Sequence, residues 1–389
     1  MARPRIIFVT AVPPAPAYGG ERIHVAQLIR DLAELSELTV LGPPLPPSSG
    51  FAPAVAGWQV LPGLPRGFRA HLTDALQLLQ PQPERAQLLR TLIGSTRAEI
   101  VWFNYGHWGQ YAAVARDAGA LTVMQTHNAQ AQLTRQGLLQ PPLNRWQAVT
   151  AVRSLFEALH ERRLFPAFDH ILSVSPADQA YHARFVGPKR SHLLPNYIDE
   201  AGYRSDGARI AGRVLMTANF HAFQNQRGAD WLLTQVWPAV RAAVPQAELQ
   251  LAGVAPPRWQ RQLNGSADVL GAVDSMVPLL GQAAVAVVPL QHGSGTRFKI
   301  LEALAAGTPL VSTTLGAAGI PLLDGVHARL ADRPADFAAA VIDCLQRPDA
   351  AAVRADAGRR LLIDEFGRAV NRERITTLLT HILTTGPRS

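Results

Sequence analysis

The sequence predicts an α/β protein assembled from parallel βαβ units in two halves, and three observations lead there. Short apolar runs of β character alternate with helix-period patterns along the whole chain, the pattern of a parallel sheet flanked by helices. The alternation restarts after a polar stretch at 196–212 that lies between two apolar runs. At 389 residues the chain is long enough for two or three domains with large cores.

The first half opens with a β run at 5–10, RIIFVT, then a helical pattern at 21–35 in which Ile23, Ala26, Ile29 and Leu32 share one face. Further β runs fall at 38–41, 99–103, 121–125, 170–174 and 192–194, with helical stretches between them. Pro and Gly cluster at 42–67, which reads as a surface loop and not as a domain boundary. A long helical pattern at 143–165 carries Arg145, Trp146, Arg153 and Phe156 and ends at His160-Glu161-Arg162-Arg163-Leu164-Phe165. Such a basic amphipathic helix can rest on anionic lipid, although a half-buried helix with a solvated basic face fits it better. The second half has β runs at 213–217, 248–252, 285–289 and 309–313, and a last helix is expected at 369–383. The expected division is 1–200, 201–368 and a terminal helical segment 369–389.

Composition narrows the class. Hydrophobic residues make up 48% of the chain and charged residues 17%, which excludes a disordered chain and suits a folded enzyme. The single cysteine, Cys344, excludes an internal disulfide and a multi-cysteine metal site, and no His pair has zinc-ligand spacing, so no metal is expected. A balance of 37 Lys+Arg against 29 Asp+Glu favours anionic partners such as nucleotide sugars, lipid phosphates or a membrane surface. Nucleic acid is not expected, because no basic-aromatic repeat or finger spacing accompanies the charge. The apolar stretch at 6–12 is short for a leader and is interrupted by prolines, so it reads as a first strand. No run approaches the ~18–20 apolar residues of a membrane span, and a cytoplasmic protein is expected, with contact to the inner membrane face an open option.

The most informative stretch is 283–320, AAVAVVPLQHGSGTRFKILEALAAGTPLVSTTLGAAGI. An apolar β run enters the loop Gly293-Ser294-Gly295-Thr296; Arg297 and Lys299 follow, and then a helix carries Glu302 and ends at Gly307. A loop of Gly, Ser and Thr leaves main-chain N–H groups free to converge on an anion, and a helix N-terminus adds partial positive charge. Arg297 supplies full charge as a fork and Lys299 as a point. Phosphate would repel the acid Glu302, which therefore suits hydroxyl groups such as those of a ribose. The stretch reads as a site for a nucleoside diphosphate. It is not a dinucleotide fingerprint, since Phe298 occupies the third Gly position.

These residues resemble the donor-binding signature of glycosyltransferase family 4, the group 1 transferases of the GT-B fold, in the branch written G-x-G-T-R-x-K-x-L-E. Glu302 matches the second Glu of the family's Glu-x7-Glu, Gly307-Thr308-Pro309-Leu310-Val311 matches the strand after it, and Ser294 stands where the first Glu is usual. Leu194-Pro195-Asn196-Tyr197-Ile198-Asp199 resembles the family's Pro-Asn-Gly-Val-Asp hinge, with Tyr197 in place of Gly.

The resemblance implies two Rossmann-like domains whose parallel sheets face across a cleft, an N-terminal acceptor domain and a C-terminal nucleotide-sugar domain. It also implies that the last helix packs back on the first domain. It places Gly19 and Gly20, between the first strand and first helix, against the donor, and His127, after the strand at 121–125, against the transferred sugar. It aligns Asn219 with a family Arg and Arg227 with a family Lys, both of which bind the diphosphate. Donor contacts are thus expected from Gly19, Gly20, Asn219, Arg227, Gly293, Ser294, Gly295, Thr296 and Glu302, and catalysis from His127, Arg297 and Lys299.

The activity the resemblance implies is transfer of a sugar from a nucleoside-diphosphate sugar with retention of configuration, and with neither cofactor nor metal. The acceptor stays open among lipid-linked saccharide, polysaccharide, protein and small molecule. Two alternatives use the same ligands: a GT-B sugar-nucleotide epimerase, and an inactive sugar-nucleotide-binding partner of another transferase.

Overall fold

The structure, a computed structural model, describes residues 3–15, 19–45, 55–62, 81–127, 158–204, 207–263, 265–292 and 297–387. It divides into two compact units, one formed by Met1–Pro195 with Arg372–Ser389 and the other by Asn196–Asn371.

The first unit holds a seven-stranded parallel sheet in the order β3-β2-β1-β4-β5-β6-β7. Its chain order is β1 (Arg5–Val9), α1 (Gly20–Leu35), β2 (Glu37–Gly42), β3 (Gly57–Val60), α2 (Pro83–Thr96), β4 (Ile100–Asn104), β5 (Leu121–Gln125), β6 (His170–Ser173), α3 (Pro176–Val186) and β7 (Ser191–Leu193). All five residues of β4, Ile-Val-Trp-Phe-Asn, are buried, because a parallel strand covered on both faces needs a continuous apolar run. Phe8, Trp102, Phe103 and Phe168 are fully buried in this core. β1 pairs with β2 on one side and β4 on the other, so the strand order reverses at β1/β4. At such a reversal the following loops diverge and leave a crevice at the strand C-termini.

The second unit repeats the plan with six parallel strands in the order β10-β9-β8-β11-β12-β13. These are β8 (Ile210–Thr217), β9 (Glu248–Ala252), β10 (Asp268–Gly271), β11 (Ala283–Val288), β12 (Leu310–Ser312) and β13 (Arg329–Leu330). The helices that matter here are α4 (Phe223–Trp231), α5 (Phe298–Ala305), α6 (Pro348–Phe366) and α7 (Arg368–Thr385). The order reverses at β8/β11, which puts the loops into α4 and α5 on either side of a second crevice. Helix α7 runs on into the first unit: Arg372 Nη1 lies 3.0 Å from Glu34 Oε2, and Ile375, Leu379 and Ile382 are buried.

Three short strands depart from the sequence expectation. The stretch 42–67, expected as loop, contains β3, whose Gly57, Trp58, Gln59 and Val60 pair in parallel with β2. Its half-exposed residues between Pro and Gly clusters carry no apolar run to announce it. β10 and β13 are likewise edge strands, of four and two residues, too short for a periodic signal. Of the helix expected at 143–165, residues 158–164 are helical and 143–157 lie outside the described residues.

Gly253 shows how tightly the strand ends of the second unit converge. It has φ 131°, and a Cβ there would stand 1.8 Å from the Ala218 carbonyl oxygen, where β9 leaves the sheet beside β8. Backbone cannot yield to that contact, and positive φ adds strain for any other residue. Gly253→Ala is expected to destabilise the protein by about 3 kcal/mol or more, read as a lower urea midpoint; an unchanged midpoint would refute the packing described.

Candidate active site

In the second unit the site grows from α5. The helix buries Ile300, Leu301, Ala303, Leu304 and Ala305 against the sheet. It stops at Gly307, whose φ of 65° lets the Gly307 and Thr308 N–H groups donate to the Leu304 and Ala303 carbonyls at 3.0 and 2.8 Å. That is a Schellman ending, and it returns the chain directly into β12. At the other end Arg297 is the N-cap, Lys299 lies in the first turn, and Glu302 follows one turn later, only 8% exposed. The loop 293–296, expected to cradle an anion with its amides, lies outside the described residues.

Lys299 Nζ donates to Asn225 Oδ1 at 2.8 Å, across the crevice between the β11 and β8 loops. Asn225 Nδ2 in turn donates to the Asn219 carbonyl at 2.8 Å. The Asn219 side chain is turned inward, its Oδ1 accepting from the His221 N–H at 3.0 Å, so it shapes the loop. Arg227 is exposed on α4 with its guanidinium 5.1 Å from the centre of the Phe223 ring, itself 62% exposed. Tyr203, in the turn Glu200–Tyr203, donates its hydroxyl to Glu302 Oε1 at 3.1 Å.

Electrostatics follow from burial. Lys299 is brought down to about 7, chiefly by desolvation and then by the neighbouring Arg297, with Glu302 opposing. Glu302 is pushed up to about 7 by burial, opposed by the Tyr203 hydrogen bond and by Lys299. Desolvation lowers Arg297 to about 10, which leaves it charged at neutral pH. Burial raises Tyr203, and Glu302 adds to the shift.

In the first unit a largely neutral network lies at the β1/β4 reversal. Gly19, φ 76°, caps α1, Gly20 is its first residue, and Glu21 stands in the first turn. Asn104, at the end of β4, donates from Nδ2 to Thr10 Oγ1 at 3.2 Å. Its Oδ1 is therefore the acceptor for the His127 ring, 2.8 Å away, which fixes the proton on His127 Nε2. Tyr105 stacks on His127 with ring centres 4.1 Å apart and 23° between planes, and donates its hydroxyl to Glu21. Tyr105 has φ 84°, an unusual conformation for a residue with a side chain and one typical of functional sites. Beneath lies buried His24, its ring edge-on to His127 at 5.0 Å and its Nε2 2.8 Å from Gln125 Nε2. Gln125 Oε1 accepts from the Trp102 indole at 3.0 Å, so Gln125 donates to His24; burial brings His24 down to about 4 and keeps it neutral.

Thus the structure gathers Asn219, Lys299 and Glu302 around one helix end, and Gly19, Gly20 and His127 around the other crevice. Sequence reasoning missed Asn225, Tyr203, Asn104, Tyr105 and Glu21. Asn104 and Tyr105 follow a predicted strand, the same positional signal that singled out His127, and Glu21 opens the first predicted helix directly after Gly20; Asn225 and Tyr203 carry no such signal.

Two parallel-sheet Rossmann-like units, each gathering polar side chains where its strand order reverses, are the architecture of the GT-B fold. Residues 211–347 match the family of glycosyl transferases group 1, and residues 19–197 match the glycosyl transferase 4-like domain. The chain belongs to the group 1 glycosyltransferases of family 4 and is a transferase enzyme.

Over 397 residues it is 25% identical to the GDP-mannose-dependent alpha-(1-6)-phosphatidylinositol monomannoside mannosyltransferase of Mycolicibacterium smegmatis, covering 94% of this chain and 96% of that protein. Its fold resembles sucrose-phosphate synthase from Thermosynechococcus elongatus, with TM-score 0.78, 17% identity, and 99% and 100% of the two chains covered. It also resembles Anabaena HepE solved with UDP-glucose, with TM-score 0.71, 14% identity, and 97% and 99% covered. Among the described residues no helix is long and apolar enough to cross a membrane.

The chain has two lysines, Lys189 and Lys299, which makes the buried one directly observable. After reductive 13C-methylation, the resonance assigned to Lys299 by its loss in Lys299→Ala is expected to titrate with a midpoint near 7. A midpoint in the ordinary lysine range, about 10.4, would contradict the burial described.

Proposed function

We propose that the chain moves a hexose from a nucleoside-diphosphate sugar, held by the second unit, to a glycan or glycoconjugate acceptor with retention of configuration. The observation that carries this reading is the head of α5, where two cations and one buried carboxylate stand at a strand-order reversal. Departure of the diphosphate from the anomeric carbon builds negative charge on the leaving oxygens. Arg297, Lys299 and Arg227, with amides of the 293–296 loop, would stabilise that charge, as would Gly19 and Gly20. Cations from the chain itself make a metal unnecessary in this reading.

Glu302 would accept hydrogen bonds from ribose hydroxyls, and those donors together with Lys299 favour its ionised form. His127, held in one tautomer by Asn104, would face the transferred sugar. The leaving phosphate would help to deprotonate the acceptor hydroxyl. A lipid-linked acceptor, of the kind named for the Mycolicibacterium relative, is part of the proposal and accords with a net charge of +8 and contact with an anionic membrane surface. The matched families and the Mycolicibacterium relative are transferases, and none of them favours the epimerase reading.

Thermal-shift measurements with UDP-, GDP-, ADP- and TDP-sugars test the donor: a ligand at 100 times its Kd stabilises by about 2.7 kcal/mol. With the donor so found, Glu302→Ala is expected to lose about 10- to 100-fold in donor kcat/KM, the worth of a hydrogen bond to a charged group. His127→Ala is expected to lose transfer while keeping most nucleotide affinity. Unchanged kinetics in the first variant, or lost nucleotide binding in the second, would remove that residue from its proposed role.

A further inference from the structure

Lys299 and Glu302 are opposite charges three residues apart on one helix, a spacing that ordinarily brings such side chains together. Here each is held by something else. Among the described residues neither forms an ion pair within 4.0 Å. The ammonium goes to the amide oxygen of Asn225 and the carboxylate to the phenol of Tyr203. Both holders are neutral, and both come from outside α5.

Each holder is itself fixed. Asn225 is 9% exposed, its backbone N–H donates to the Ala222 carbonyl at 3.0 Å, and its side-chain NH2 donates to the Asn219 carbonyl. With its donors used on the loop, only its acceptor faces Lys299. Tyr203 packs against the cluster that contains Ile198, Leu301 and Phe366, so the ring is braced while the hydroxyl reaches Glu302.

We propose that Asn225 and Tyr203 are positioning residues that hold Lys299 and Glu302 apart, keeping the cation for the diphosphate and the carboxylate for the ribose. The inference rests on the donor site proposed above and deepens it. A direct pair at low dielectric would satisfy both charges internally, and a ligand would have to break it to use either one. A hydrogen bond between an ion and a neutral dipole is weaker, so an arriving phosphate displaces it at less cost. Two neutral holders therefore prepare the site to exchange partners.

The test uses UDP, GDP, ADP and TDP as probes, titrated by calorimetry at pH about 7 against the full chain, with donor KM and kcat measured on whichever nucleotide's sugar is transferred. Asn225→Asp gives Lys299 a carboxylate at the cost of the bond to the Asn219 carbonyl, and Tyr203→Phe removes one hydroxyl from a braced ring. Each is expected to raise nucleotide Kd and donor KM about tenfold, one charged hydrogen bond's worth, with kcat changed less than about twofold. In a Lys299→Met background Tyr203→Phe is expected to add almost nothing, because the carboxylate then has no ammonium to collapse onto. Unchanged affinity in both variants overturns the inference, and so does a Tyr203→Phe loss of the same size with or without Lys299. If the unaltered chain binds none of the four nucleotides, the donor site itself falls and the inference with it.

Discussion

A lysine ammonium brought under cover needs an acceptor, and in the second unit much of the local structure answers that need. The strand order reverses at β8/β11, so the loops after those strands part and leave a gap that side chains must span. Lys299 spans it from one side and Asn225 from the other. The loop at 219–222 and the first turn of α4 are folded to present Asn225: Asn219 closes a tight turn on the His221 N–H, and Gln226 donates to the Phe220 carbonyl at 2.6 Å. The backbone permits this closeness because a side chain at Gly228 would meet the Pro289 carbonyl at 2.8 Å. In a chain whose cations are otherwise nearly all arginine, lysine stands at the one place where a compact point charge is desolvated.

The first unit uses the same architectural opportunity with different chemistry. Its crevice lies at the β1/β4 reversal, but the groups there are mainly neutral and interlocked: Trp102 to Gln125 to His24, and His127 to Asn104 to Thr10. Among the described residues of this network Glu21 brings the charge, and Tyr105 donates to it. Neutral directed hydrogen bonds suit the hydroxyls of a sugar, whereas desolvated cations suit a diphosphate. The contrast agrees with the division of labour proposed for the two units. The positive φ of Tyr105 belongs to this design, since it swings the ring off the end of β4 and onto His127.

How far the sequence revealed this depends on whether a feature is local. Buried parallel strands are continuous apolar runs, so β1, β4, β5, β8, β9 and β11 were readable, and so was the end of α5, where Gly307 and Pro309 punctuate the chain. β3, β10 and β13 were not, because a short edge strand takes its structure from its neighbour's free backbone groups more than from its own residues. The charged residues of α5 were legible as a cluster of types. Their partners were not, since Asn225 and Tyr203 lie 74 and 99 residues from the side chains they hold. The spacing of Lys299 and Glu302 would pair them on an isolated helix, and tertiary contacts replace that pair.

Two departures from the family pattern take on physical meaning in this setting. At 219 the resemblance aligns a family Arg, a long cation, with a short amide; the structure commits that amide's oxygen to its own loop and its carbonyl to Asn225. The position thus reaches the crevice through Asn225 and contributes shape where the family contributes charge. At 294 the resemblance aligns a serine with the family's first Glu, so the sequence has one acid fewer ahead of Arg297 and Lys299. On the proposed reading the diphosphate then meets cations concentrated at the head of α5, and the depressed affinity of Lys299 for its proton is the condition that a bound anion would reverse.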